Sequence, residues 1–244
     1  MSLRSLVLFG SALVLSGGIA FAGWQLSQGL ERVRTADRYV SVKGLAERDV
    51  IADLAVWPLR FSATGDDLTQ VQAKIDADVA TVTEFLIQQG LDPEAITPRR
   101  PEVTDLLAQA YRPEGAGNNR FIVAQTLVVR SNDVEMVERI ARQSGELARR
   151  GVVLSEQDGP FGGPTFIFTR LNDVKPEMIA EATRNARAGA EQFAADSGAS
   201  VGGIRKASQG SFSILPRDPI GSMPESTQMQ KQVRVVSTIE YFLE

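Results

Sequence analysis

The sequence predicts an α+β fold, with antiparallel or mixed β-sheet packed against helices, preceded by one N-terminal transmembrane helix. Three observations predict it. Stretches that alternate apolar and polar residues at a period of two, above all Val233 to Leu243, read as half-buried strands. Between such strands stand segments with apolar residues at helical spacing, each with a single apolar side to lay on a sheet. Ahead of both, Ser5 to Leu30 holds no charged residue.

The apolar part of that leader, Leu6 to Trp24, matches the ~20 residues that cross a bilayer as a helix. Trp24 falls where an interfacial aromatic belongs. Ala20-Phe21-Ala22 also forms a small-residue cleavage site behind a short basic start, so a cleaved signal peptide competes. The anchor is preferred, because helix-compatible residues run on past Ala22 with no proline or polar break. With Arg4 on the inner side, the bulk of the chain lies outside the cytoplasm. Residues 1–37 are therefore read as anchor and stalk (or signal peptide), and 38–244 as the folded domain.

Tyr39 to Lys43 alternates as a strand, with Val40 and Val42 on one face. Val50 to Ala63 reads as a second strand. Its phase slips at Pro58, which predicts a bulge or an edge position there. Asp67 caps the next helix, whose stripe is Leu68, Val71, Ile75, Val79, Val82 and Leu86, and Gly90 ends it. Ile96 to Ala110 is extended, with Pro98 and Pro101 marking an edge. Arg99-Arg100 in it reads as protection of that edge rather than an anion site. Tyr111 to Asn119 is a loop and Arg120 to Arg130 a strongly β stretch. Asp133 then caps a helix carrying Val134, Val137, Ile140, Ala141, Leu147 and Ala148, stopped by Gly151, and Val152 begins another strand. The glycine-rich Asp158 to Pro164 precedes a strand signal, Thr165 to Phe168, where a phosphate cradle needs a helix N-terminus. It reads as a turn.

The clearest helix runs from Asp173 towards Gly198, with Asn172 and Asp173 as caps before Pro176. Ile179, Ala182, Ala186, Ala190, Phe193 and Ser197 form its narrow stripe, small enough to sit close on a sheet. Its charges read as a solvated face with Glu181–Arg184 and Arg187–Glu191 pairs. Ser200 to Leu215 is extended and interrupted at Gly202-Gly203. Pro216 to Gln228 is a polar loop with the length of a flap or an oligomer contact. The order is ββ-α-ββ-α-β-α-ββ.

Glu181-Ala182, Ala186-Arg187, Ala190-Glu191, Phe193-Ala194, Gly198, Val201-Gly202 and Ile204 together resemble the SIMPL-domain family of bacterial envelope proteins. Runs at Val42 to Arg48, Asn172 to Ile179, Ser208 to Ile214 and Val233 to Leu243 resemble a membrane-anchored branch of it. Asp53 matches an aspartate that opens a strand in the family, with Ala52 in place of the preceding proline. The resemblance implies no catalytic motif. It implies an envelope setting, since some members form rings and some are linked to envelope or oxidative stress. Combined with the anchor, it places the chain as a single-pass protein of a bacterial inner membrane with its domain in the periplasm.

The chain has no cysteine and no histidine. That inventory excludes disulfides, thiol nucleophiles, histidine general bases and the usual zinc sites. A net charge of −4 argues against nucleic acid as a partner. Asp66-Asp67 and Asp76/Asp78 lack the spacing of a calcium loop and read as caps and solvated face. No catalytic, cofactor-binding or metal residue is assigned, and no cofactor is expected. Three functions are carried forward. The first is a non-enzymatic, self-associating envelope protein, a homo-oligomer held at the membrane. The second is a module binding an envelope protein partner or ligand through the Tyr111–Asn119, Asp158–Pro164 and Pro216–Gln228 loops. The third is a carboxylate-based hydrolase, for which no pair is singled out by spacing.

Overall fold

The computed structural model describes residues 16–18, 21–25, 38–108, 119–155, 163–221 and 223–244. Most of the leader expected to span a membrane therefore lies outside the described residues. So do most of the Tyr111–Asn119 and Asp158–Pro164 loops. Among the described residues no helix is long and apolar enough to cross a membrane.

The fold is α+β, with antiparallel sheets packed against helices. Its strands are β1 Tyr39–Ile51, β2 Leu54–Gly65, β3 Ile96–Pro98, β4 Glu102–Asp105, β5 Phe121–Ser131, β6 Thr165–Ile167, β7 Val201–Gln209, β8 Ser213–Pro216 and β9 Gln230–Leu243. Helices span Leu68–Gln88, Val134–Arg142, Gly145–Arg149 and Leu171–Asp196. The chain divides into two compact units. One is Met1–Glu47, Lys175–Phe212 and Arg234–Glu244; the other is Arg48–Val174 and Ser213–Val233.

In the second unit the sheet order is β3-β5-β2-β6, with β4 also on β5. β2 and β5 form its spine, antiparallel and in unbroken register from Ala55 opposite Ser131 to Gly65 opposite Phe121. Trp57, Leu59 and Phe61 point inward from β2, as do Val123, Leu127 and Val129 from β5. They pack on Val71, Ile75, Val82, Phe85 and Leu86 of helix Leu68–Gln88, and on Val137, Ile140 and Leu147. Each such side chain taken fully from water contributes about 1.5–3 kcal/mol. The first helix starts where predicted, because the Asp67 carboxylate accepts from the Thr69 N–H at 2.8 Å and the Gln70 N–H at 3.3 Å. It ends at the left-handed Gly90, φ 95°.

In the first unit β9 lies between β1 and β7. Val40, Ile239 and Tyr241 form a small core with Ala186 and Ala190 of the long helix. The predicted sheet contact of that helix is therefore present. The Asn185 side chain donates to the Leu45 carbonyl at 2.8 Å, and Arg187 pairs with Glu191 at 2.8 Å. The expected interruption of β7 is a register shift between Val201 and Ile204.

Several expectations are corrected. β1 runs on to Ile51 and β2 begins at Leu54, so the second strand is shorter than Val50 to Ala63. Pro58 carries no bulge, since Ala55, Trp57, Leu59 and Phe61 keep one phase through it. It sits beyond the three β2 residues that β6 pairs, where its missing N–H breaks no bond to β6. The helix after Asp133 is two helices, reset at Gln143–Ser144, which turns Ala148 outward. The predicted strand at Val152 is seen as an antiparallel bridge from Leu154 to Phe61, and the chain from 156 to 162 lies outside the described residues. The stretch Ser200 to Leu215 is two strands parted at 210–212. The long helix begins at Leu171, which puts Pro176 inside it rather than in its first turn. Its buried stripe is Met178, Ala182, Ala186, Ala190 and Ala194, while Phe193 is 54% exposed. A stripe strictly four residues apart gives the sheet a small-residue face, and Phe193 falls beside it. Asp78 is buried and paired with Lys74, not solvated.

Candidate functional site

Asp53 stands in the two-residue corner between β1 and β2. Its own N–H donates to the Ile167 carbonyl at 3.0 Å, and that of Ala52 donates to Met229 at 2.9 Å. The corner is thus fixed at the backbone, and the carboxylate is aimed at the chain after β6. It accepts the Thr169 N–H at 2.7 Å, the Thr169 hydroxyl at 2.9 Å and the Arg170 Nε–H at 3.0 Å. Partial burial pushes this carboxyl up, but the two Thr169 hydrogen bonds, its own N–H and the Arg170 charge outweigh that and hold it below its usual value.

Beside this node, within the second unit, opens a recess of about 350 Å³ lined by Val50, Ile51, Phe168, Arg170, Asp173 and Val174. Its walls are mainly apolar, and Ile51 is 54% exposed. Arg170 and Asp173 bring opposite charges to it. No salt bridge joins the two, because Arg170 turns to Asp53.

The Pro216–Gln228 loop shapes a smaller recess of about 200 Å³ that includes Phe166, Ile220, Met223, Gln228 and Met229. The Gln228 amide nitrogen is buried, with no hydrogen-bond partner among the described residues. The loop is fastened by Lys231, whose ammonium is fully buried, donates to the Glu225 carbonyl at 3.0 Å and pairs with the Glu225 carboxylate. Arg217 pairs with Asp218 at 2.7 Å.

Sequence reasoning assigned no site residue. It noted Asp53 only as a family match and Asp173 only as a cap, and passed over Arg170. The other aspartates it weighed are placed in local roles. Asp67 caps a helix, Asp66 accepts from the Arg120 N–H at 3.1 Å, and Asp76 accepts from the Gln72 amide at 3.0 Å. Among the described residues, no group of three or more acidic side chains is placed to hold a metal ion. Arg99 gives its carbonyl to Gln125 at 2.7 Å and remains on the surface.

The family model named SIMPL, described as a protein of unknown function (DUF541), matches residues 40–241. No curated protein matches the chain. The matched span takes in both compact units, from the first residues of β1 to Tyr241 of β9, and the chain belongs to the SIMPL family.

Proposed function

We propose that this SIMPL protein is a membrane-anchored, extracytoplasmic assembly protein that works by self-association and carries no catalytic step. The anchor rests on the charge-free Ser5 to Leu30, and the envelope setting and stress role rest on the membrane-anchored branch that the sequence resembles. The observation that carries the assembly reading is β7. It pairs with β9 along one edge, and every residue from Gly203 to Gln209 is exposed. Among the described residues no strand pairs with its other edge, and such an edge is a template for pairing with another chain. Tyr39 and Ile204 add exposed apolar surface to the same sheet.

Light scattering on the full chain in detergent, and on residues 38–244 without it, tests this reading. Oligomers in both assign assembly to the folded domain. An oligomer of the full chain alone assigns it to the anchor. Monomers in both overturn it.

A second reading is a periplasmic module for a protein partner or ligand. It is favoured by the unpaired Gln228 amide under the Pro216–Gln228 loop. Met223→Ser, which keeps the Lys231–Glu225 fastening of the loop, is then expected to weaken binding while the fold survives.

A further inference from the structure

We propose that the recess beside Asp53 binds a free α-amino acid with an apolar side chain, as a zwitterion. The inference is independent of the assembly reading, since the recess lies wholly within one unit and away from β7 in sequence.

Three features converge. The first is the Arg170 guanidinium. Of its five N–H groups, the Nε–H is committed to Asp53, and its terminal amino groups bond to no protein group among the described residues. Its side chain is 66% exposed, yet one edge of the plane is pinned. The other edge therefore offers the paired donors that grip a carboxylate.

The second feature is Asp173, three residues on, which lines the same recess and accepts no hydrogen bond from the protein among the described residues. Arg170 stands just ahead of the helix that begins at Leu171, and Asp173 lies in that helix's first turn. Here Asp53 takes the arginine, so the Asp173 carboxylate is left to receive an ammonium. Asp53 thus acts as a positioning residue that keeps two opposite charges from cancelling each other.

The third feature is the wall. Val50, Ile51, Phe168 and Val174 give an aliphatic or aromatic side chain an apolar surface, and Ile51 is half-exposed without such a cover. A volume of about 350 Å³ sits at the low end of small-molecule sites. It suits a single amino acid rather than a nucleotide or larger cofactor. A fatty acid would satisfy only Arg170, and an alkylamine only Asp173. The α-amino acid satisfies both charges and the wall together.

The test is a titration of the full-length chain carrying ¹³C-methyl isoleucine, read at the Ile51 methyl. The probes are L-leucine, isovalerate (carboxylate only), isoamylamine (ammonium only) and glycine (no side chain). L-leucine is expected to shift Ile51 saturably, and each of the other three to bind at least about tenfold more weakly, the loss expected of one charged contact or of the apolar cover. Arg170→Gln weakens leucine by a similar factor and leaves isoamylamine unchanged. Asp173→Asn weakens leucine and leaves isovalerate unchanged. The methyls of Ile75 and Ile140, both in the core, report that each variant is folded. Equal binding of leucine, isovalerate and isoamylamine overturns the proposal. So does the absence of a saturable shift, or full leucine affinity in both variants.

Discussion

Gly44 of β1 lies on the carbonyl of Ala182 in the long helix, so close that a β-carbon at Gly44 would stand 1.8 Å from that oxygen. It would also stand 2.7 Å from the Ala186 nitrogen. Both obstacles are backbone, which cannot rotate aside as a side chain does. The helix's small residues and the strand's glycine thus form one contact, in which neither partner tolerates bulk.

Gly44→Ala is therefore expected to push β1 from the helix. Overpacking of a tight contact costs about 1–3 kcal/mol, and each kcal/mol lowers the melting temperature of a chain this size by about 2–4 °C. Thermal unfolding by circular dichroism reads the effect. An unchanged transition would show that the strand and helix are not held at this distance in solution.

Asp53→Asn removes a charge while keeping an acceptor for Thr169. In the folded state the Asp53 carboxyl is held below its usual value of 3.8. Its contribution to stability is therefore fully present above that value and is lost as pH falls through the lower folded-state value. At neutral pH the variant is expected to be less stable than wild type by about 1.5–3 kcal/mol, the range for hydrogen bonds to a charged group. The gap should narrow once pH drops below 3.8. Urea unfolding at neutral and acid pH tests the sign. A gap that widens in acid would mean that the carboxyl is instead neutralised by burial.

The same two regions show what the sequence made legible. Helix Leu68–Gln88 could be placed from its Asp67 cap, its apolar period and Gly90, because all three signals are local. The long helix is recognisable too, but its apolar period points to a stripe through Ile179 and Phe193, where the buried positions are Met178 and Ala194. Hydrophobicity alone favours phenylalanine. Gly44, on a strand far away in sequence, requires small residues at Ala182 and Ala186, and Ala194 continues their four-residue period. The candidate site was less legible still. Arg170 meets Asp53 across 117 residues, and no spacing rule predicts that pairing. The one available hint was the family's aspartate at the head of a strand. Pro58 offered two readings, a bulge or an edge position: the register rules out the bulge, and among the described residues no strand pairs with Pro58 on the side away from β5.

Lys231 and Glu225 form a pair of unequal burial, with the lysine side chain at 0% and the glutamate at 33% exposure. Removing the glutamate leaves an ammonium in the interior with only the Glu225 carbonyl to hold it. Glu225→Ala is expected to cost about 3 kcal/mol, whereas Lys231→Met, which leaves a carboxylate able to reach water, costs less. In the double variant the cost should fall back towards that of Lys231→Met. Urea unfolding of the three variants gives the coupling directly. Additive losses would show that the two groups do not sense each other.

The last prediction concerns the free edge of β7. The Gly210 N–H donates to the Val236 carbonyl at 2.9 Å, and the register pairs Ser208 with Thr238 and Lys206 with Glu240. At a period of two, the N–H groups of Ser208 and Lys206 also face β9, and those of Ala207 and Gln209 face outward. Proline at Ala207 therefore removes an outward donor and spares the bonds to β9. Ala207→Pro is expected to lower the mass of the full chain measured by light scattering while its melting temperature changes little. Lys206→Pro, one residue away, removes an inward donor and should instead lower the melting temperature. Unchanged mass in a folded Ala207→Pro variant would remove the β7 edge from the assembly and leave the anchor as its cause.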